Sequence, residues 1–401
     1  MLNPNTNQRE LAYVVTIDEV RPIEGYDRVE HARVGGWWII VRKDQFKVGD
    51  LAIYIEIDSK VPEREPFMFL EKRHFKVKTL KMCKVISQGL LMSPEDFNWN
   101  PADLTVGEFL TEKLGITYAD AEDNKRKAPS VDKYKKMAQR HGKLFAKQPF
   151  RWLMKRKWGR KLLFIFFGKK KDKKNAWPAW VKKTDEERCQ NLPWLFPGDD
   201  REWIATEKID GTSTTFTMKG FGRKREFFIC SRNVVFDKPN KECFYNTNVY
   251  IEMAQKYNIE KKLTLFLDYN HYYLKGECIN NNAVFVTLQG ETYGEGIQKR
   301  DYTMCYHDFM AFNLIIGYAD GSVRRLNPKE MTEILTTLEI PCVPIVDEHF
   351  KIPATCDELI TLAGGMSVVD GGMREGLVFR SYDGEQSFKA VDPNFLLRYH
   401  Q

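Results

Sequence analysis

The sequence predicts an α+β protein in which a small N-terminal β-barrel precedes a larger domain of antiparallel sheets flanked by helices. Three observations carry that expectation. Short strand-like runs fill residues 10 to about 95, a strongly basic stretch follows, and beyond it strand-like runs outnumber helical ones without alternating strictly with them. With 43% hydrophobic and 29% charged residues, the 401-residue chain has the composition of a globular protein rather than a disordered or collagenous one. Its length suits two or three domains of roughly 100 to 200 residues each.

The N-terminal strands are LAYVVTI, WWIIVRK and LAIYIEI, divided by turn signals at Pro22 to Gly25, Gly35-Gly36 and Gly49-Asp50. Strands of this length and spacing suit an OB-like barrel over residues 1–117, although an SH3-like barrel leaves a similar trace. The open face of an OB fold commonly binds single-stranded or nicked nucleic acid.

Residues 118–176 read as a basic, aromatic-containing insert. The stretch 125–183 holds 22 Lys and Arg against only Asp132 and Asp172, a charge of +20, while the rest of the chain, with 40 basic and 53 acidic residues, stands near −13. A local polyanion site is the reading this asymmetry favours. Trp152, Trp158, Phe164, Phe166, Phe167, Trp177 and Trp180 lie among the cations, a mixture suited to phosphate pairing and base stacking. Met154, Trp158, Leu162 and Ile165 recur at near-helical spacing, which also fits a basic amphipathic helix packed on the protein. RNA contact and packing stand level as readings, with a membrane surface a distant third.

Residues 177–401 read as the second folded domain. TSTTFTM, FFICSR, AVFVTLQG, FMAFNLII and GLVFRS are strand-like. One helix is expected from Asn327 as cap and Pro328 at its first position to about Glu339, and another after the Thr355-x-x-Glu358 capping box. The longest apolar run, residues 162–167, is six residues, far short of the roughly 20 that cross a membrane. The N-terminus lacks a signal-peptide pattern, so a cytoplasmic protein with no membrane partner is expected, as a monomer. Eight scattered cysteines without a CxxC pair read as reduced thiols, and Cys305-x-His307 lacks the second ligand pair of a zinc site.

The sharpest local signal is Glu207-Lys208-Ile209-Asp210-Gly211-Thr212, between strand-like WIAT and STTFTM. On its own, Lys-x-Asp-Gly arises by chance in about one such chain in ten and fits a hairpin turn equally well. Its company distinguishes it. In order follow Ser231-Arg232-Asn233, Gln289 to Gln298 (QGETYGEGIQ), Phe309 to Asn313 (FMAFN), Arg374 to Val378 (REGLV) and Ser387 to Val391 (SFKAV). This set resembles the covalent nucleotidyltransferase superfamily and, within it, the ATP-dependent RNA ligases. Ile57 to Pro62, Lys76 to Lys81, Ser87 to Leu91 and Lys183 to Asn191 resemble the RNA ligase class whose OB module precedes the ligase domain.

The resemblance implies an α+β nucleotidyltransferase (adenylation) domain after the OB module, and sealing of RNA 3′-hydroxyl and 5′-phosphate ends in a nick or a repair substrate. ATP and Mg²⁺ or Mn²⁺ are the implied cofactors and RNA the partner. Lys208 would attack the α-phosphate of ATP, with Asp210 and Lys389 also catalytic and Lys389 meeting that phosphate. Glu207 would meet the adenine edge, Phe312 stack on the base and Glu291 hold the ribose, with Gly211 and Arg232 also at the nucleotide. Glu375 would hold the metal, and Arg188 a phosphate of ATP or RNA. A nucleophilic lysine must be neutral, so its pKa of about 10.4 is expected to be lowered by burial or by cations such as Lys389 and Arg232. Taken singly, Phe312 reads as core, Glu295 rivals Glu291, and Arg188 suits a charged helix start. Ser387 and Asn313 depart from patterns in related ligases and carry no role. Two alternatives are a GTP-dependent capping-type transferase, disfavoured because twelve residues follow Lys389, and a non-catalytic RNA-binding protein on the same scaffold.

Overall fold

The computed structural model describes residues 1, 3, 9–119, 147–167, 177–196, 200–236, 247–268, 271–300 and 302–400. The chain forms two compact units, Met1–Ala119 with Val181–Gln401, and Asp120–Trp180. Most of the second unit, residues 120–146 and 168–176 of the basic insert, lies outside the described residues. Its described part holds two helices, Gln148–Met154 and Lys157–Phe167. The single amphipathic helix expected there is therefore broken at Lys155 and Arg156. Trp152 and Trp158 are exposed and meet edge to face at 6.2 Å, with the Arg156 guanidinium 4.4 Å from the Trp152 ring centroid.

In the first unit, the N-terminal strands follow the sequence closely but distribute over small sheets. Ala12–Thr16, Leu51–Ile55 and Leu90–Met92 form one antiparallel sheet, with Leu51–Ile55 central. Glu19–Ile23, Tyr26–Val34 and Trp37–Arg42 form another. Among the described residues no ladder closes the expected barrel. The reason is local: beside the hairpin of Thr79–Met82 and Val85–Gln88, the Ile40 N–H donates to Ser87 Oγ at 3.0 Å, and His31 Nε2 meets the Ile86 carbonyl at 2.9 Å. Side chains occupy the places where backbone partners would continue the sheet.

Two larger sheets follow. The five-stranded sheet runs Glu187–Arg188, Ser387–Val391, Gly376–Ser381, Glu202–Glu207, Ile345–Lys351. Its first pair is parallel, an exception to the antiparallel expectation. Glu202–Glu207 lies between Gly376–Ser381 and Ile345–Lys351 and, after Glu202, is wholly buried, with Trp203, Phe379 and Phe388 clustered in the core beneath the helix Cys356–Ala363. The six-stranded sheet runs Val235–Phe236, Glu226–Ser231, Thr212–Lys219, Ala283–Gly294, His307–Tyr318, Val323–Arg325. Its threonine-rich strand is held by hydroxyl pairs, Thr214 to Thr292 and Thr217 to Thr287, each at 2.7 Å. One face packs on Val249–Lys256, Ile259–Asp268 and Pro328–Thr337. The expected capping box of Thr355 with Glu358 forms, and the expected cap Asn327 forms one with Glu330 as well. Residues 208–211 are the crossing from one large sheet to the other.

Candidate active site

The crossing brings the motif residues together. Glu207 ends a strand paired with Leu377, and the Lys208 N–H continues that ladder by donating to the Gly376 carbonyl at 3.0 Å. Glu375 precedes Gly376, so its carboxylate reaches Lys208: Nζ to Oε2 is 2.8 Å, with side chains 26% and 8% exposed. On the other side, Thr212 and Ser213 pair with Thr292 and Glu291. A Cβ on Gly211 would lie 2.4 Å from the Thr292 carbonyl oxygen and 2.9 Å from Glu291 Cγ, so only glycine lets the crossing approach this strand.

The surroundings fix the loop. The Tyr302 hydroxyl accepts from the Asp210 N–H at 2.8 Å and donates to the Asp210 carbonyl at 3.0 Å. Gln298 Nε2 donates to the Gly211 carbonyl at 2.9 Å. The Asp210 carboxylate lies 3.2 Å from His400 Nε2, and the ammonium of Lys78 holds the His400 carbonyl at 3.0 Å. Glu207 is buried, one oxygen accepting from Ser367 Oγ at 2.5 Å and the other from the Val368 N–H at 2.7 Å. Phe312 is half-buried in a cluster with Ile209, Tyr293 and Tyr302.

A second group is cationic. Arg188 and Lys389 are register partners on the parallel strand pair. Lys389 Nζ donates to Asp185 Oδ1 at 3.1 Å, Arg232 reaches Asp185 Oδ2 at 3.4 Å, and Arg188 reaches Asp58 at 3.2 Å. The buried Arg188 guanidinium keeps Nε and Nη1 without protein hydrogen-bond partners. Two buried N–H donors beside a lysine are the donor set that phosphate oxygens call for.

The electrostatics divide accordingly. Burial pushes the Lys208 ammonium down, but Glu375, Glu291 and Asp210 outweigh it and raise its pKa. This corrects the expected lowering: the carboxylates around the Lys208 ammonium outweigh both its burial and the cations of the second group. Burial raises Glu291 to about 8, against the pull of Lys208. Burial lowers Lys389 to about 8, opposed by Asp185 and assisted by Arg9, Arg188 and Lys208. Among the described residues no group of three or more His, Cys, Asp or Glu forms a metal cage. The donor set nevertheless fits Mg²⁺ or Mn²⁺, because Glu375, with Glu291 and Asp210 near enough to act on the same ammonium, offers the one or two carboxylates that such ions take together with phosphates and water.

Every site residue anticipated from the sequence lies in one of these two groups or in the adjoining aromatic cluster. Asp185, Arg9, His400, Tyr302, Gln298 and Ser367 were not anticipated. Asp185 lies in the Lys183 to Asn191 motif and Gln298 ends the Gln289 to Gln298 motif, whereas nothing local marks the others. Ser387 and Asn313 serve the scaffold, Ser387 bonding Glu186 and Asn313 donating to Gln289 at 3.0 Å. His307 spends both ring nitrogens, on Glu252 at 3.0 Å and the Glu295 carbonyl at 2.9 Å, in keeping with a packing role beside exposed Cys305.

Comparison with known proteins bears on these two groups. Residues 201–391 match the RNA ligase family model, and residues 11–94 match an OB-fold domain model. The fold is similar to the Naegleria gruberi RNA ligase with PPi, at a TM-score of 0.71 and 25% identity over 98% of this chain and 99% of that one. A variant of that ligase with ATP and Mn gives the same TM-score and identity over 98% and 100% of the two chains, and one with AMP and Mn does so over 98% and 99%. No curated protein matches the chain. Among the described residues no helix is long and apolar enough to cross a membrane. The chain belongs to the ATP-dependent RNA ligases, with an OB-fold domain ahead of its ligase domain.

Proposed function

We propose that this ligase joins RNA 3′-hydroxyl and 5′-phosphate ends through three nucleotidyl transfers, with Lys208 as the nucleophile. Lys208 attacks the α-phosphate of ATP, forming the lysyl phosphoramidate as pyrophosphate leaves. The adenylate then passes to the RNA 5′-phosphate, and the 3′-hydroxyl displaces AMP. The observation that carries this reading is the placement of a half-buried lysine between a carboxylate group and a cationic group. Lys389, Arg188 and Arg232 hold the phosphates, matching charge that develops on their oxygens. Mg²⁺ or Mn²⁺ on Glu375 would supply Lewis-acid stabilisation of those oxygens.

Around the nucleotide, Glu207 accepts from the adenine amine with the lone pairs that Ser367 and Val368 leave open, and Phe312 stacks on the base. Glu291 binds the ribose hydroxyls. Asp210, held by Tyr302 and His400, fixes the crossing that carries Lys208, and Gly211 keeps it against Thr292. Residues 1–117 and 118–176 serve as the RNA-binding module and basic linker to the adenylation domain of residues 177–401.

The test is a nicked RNA duplex carrying 3′-hydroxyl and labelled 5′-phosphate, incubated with the full chain, ATP and either metal. A sealed product, and an AMP-capped RNA accumulating when the 3′ end is deoxygenated, are expected. Chain that becomes adenylated but leaves these ends unjoined would contradict the reading.

A further inference from the structure

We infer that Arg9, just ahead of the first strand, is a positioning residue for adenylation, acting through Asp185 on Lys389 and Arg232. The inference rests on the reading that these two cations hold the phosphates of ATP. Glu56, at the end of the OB-domain strand Leu51–Ile55, is fully buried. A lone buried carboxylate is strongly disfavoured, and here partners surround it. Arg9 donates to it through Nε at 3.0 Å and Nη2 at 2.9 Å, Asn191 Nδ2 at 2.8 Å and the Tyr13 hydroxyl at 3.1 Å, and the Met1 amino group also pairs with it. These contacts hold Glu56 ionised, well below the ordinary glutamate range despite burial.

The remaining edge of the same guanidinium faces the site. Arg9 Nη1 lies 3.6 Å from Asp185 Oδ1, the oxygen that accepts from Lys389. Asp185 therefore has three cationic partners, Arg9, Lys389 and Arg232, of which Arg9 is tied by two hydrogen bonds to the buried OB-domain carboxylate, whereas Arg232 packs over the Tyr118 ring, 5.0 Å from its centroid. When Lys389 and Arg232 turn toward phosphates, Asp185 keeps Arg9 as its fixed partner and stays where it aligns the lysine. Without Arg9, Asp185 is free to follow either cation, and the phosphate contacts lose their register. The OB domain thereby contributes to the first chemical step, before any RNA is bound.

The experiment measures single-turnover self-adenylylation at saturating ATP in Arg9→Met, Asp185→Asn and the double variant, with thermal midpoints alongside. Misplacement on the ångström scale costs up to about a hundredfold, so Arg9→Met is expected to slow adenylylation about ten- to a hundredfold. The double variant should be no slower than Asp185→Asn, since both changes break one line of action. Because Arg9→Met leaves Glu56 underpartnered, Arg9→Met with Glu56→Gln is measured too. It removes both charges and should show the same slowing in a folded chain. Wild-type rates in that compensated variant, or losses that multiply in the Arg9–Asp185 double variant, would overturn the inference and leave Arg9 a structural brace. Absence of adenylylation in the wild type would instead overturn the assignment of Lys208.

Discussion

At the scale of residues, Lys208 is held charged by the carboxylate expected to hold the metal. Glu375 pairs with its ammonium, and Glu291 and Asp210 add to the same pull. A raised pKa means that the neutral, attacking form is scarcer near neutral pH than for a free lysine, and that it grows as pH rises. The rate of self-adenylylation is therefore expected to climb toward alkaline pH at saturating ATP, as a pH–rate profile will show; a profile that falls across that range would contradict it. Phe312 offers a second test. A base stacked on an aromatic ring is worth ~1–3 kcal/mol, so Phe312→Ala should weaken ATP binding about tenfold in a Lys208→Ala background, by calorimetry. A lowered thermal midpoint with unchanged ATP affinity would make Phe312 a core residue only. The nucleophile, its carboxylate partner and the two cations were legible because each lies in a short ordered motif. Arg9 and His400 were not, since each meets the site only through contacts made after folding.

At the scale of elements, the crossing at residues 208–211 decides the geometry. Gly211→Ala would force a Cβ onto the Thr292 carbonyl, and backbone cannot yield as a flexible side chain does. Overpacking of this kind costs roughly 1–3 kcal/mol, and displacement of Lys208 should slow adenylylation about a hundredfold. Adenylylation and thermal unfolding of the variant check both figures. Gly36 has the same character at the contact of the OB and ligase regions, where its N–H donates to the Gln190 carbonyl at 3.0 Å and a Cβ would lie 2.6 Å from the Gln190 Cα. Helices announced by an Asn-Pro start, Pro328–Thr337, and by a capping box, Cys356–Ala363, were legible before the structure. Val249–Lys256 and Ile259–Asp268 carry weaker boundary signals and were passed over. The strand Glu19–Ile23 was hidden by Pro22 and by its charged neighbours, and sheet membership depends on partners far along the chain.

At the scale of the molecule, the OB and ligase regions meet through buried polar groups. Asn191 donates to Glu56 and Glu187 at 2.8 Å each, while its oxygen accepts from Trp37 Nε1 at 2.7 Å and lies 3.2 Å from the hydroxyl that Tyr13 donates to Glu56. Glu56 is lowered to about 2: burial opposes ionisation, but Arg9 and the Met1 amino group more than offset it. Its pKa is depressed, so its contribution to stability is present above the ordinary glutamate value of 4.5 and lost as pH falls toward about 2. Unfolding followed across that window should be less acid-sensitive in Arg9→Met with Glu56→Gln than in the wild type. For the basic insert we propose RNA contact rather than a part in adenylation. Removing residues 125–174 should leave self-adenylylation intact while reducing RNA affinity and flattening its salt dependence, read by titration at several salt concentrations. Equal RNA affinity after deletion would assign the insert to packing.

The most direct test of the account is covalent labelling. The pure chain, stripped of AMP with pyrophosphate, is incubated with Mg²⁺ or Mn²⁺ and α-labelled ATP, beside α-labelled GTP and beside Lys208→Ala. The account predicts label from ATP on the denatured chain, mapped to Lys208 and absent from the variant. Label from GTP, or label from ATP that survives Lys208→Ala, would contradict it.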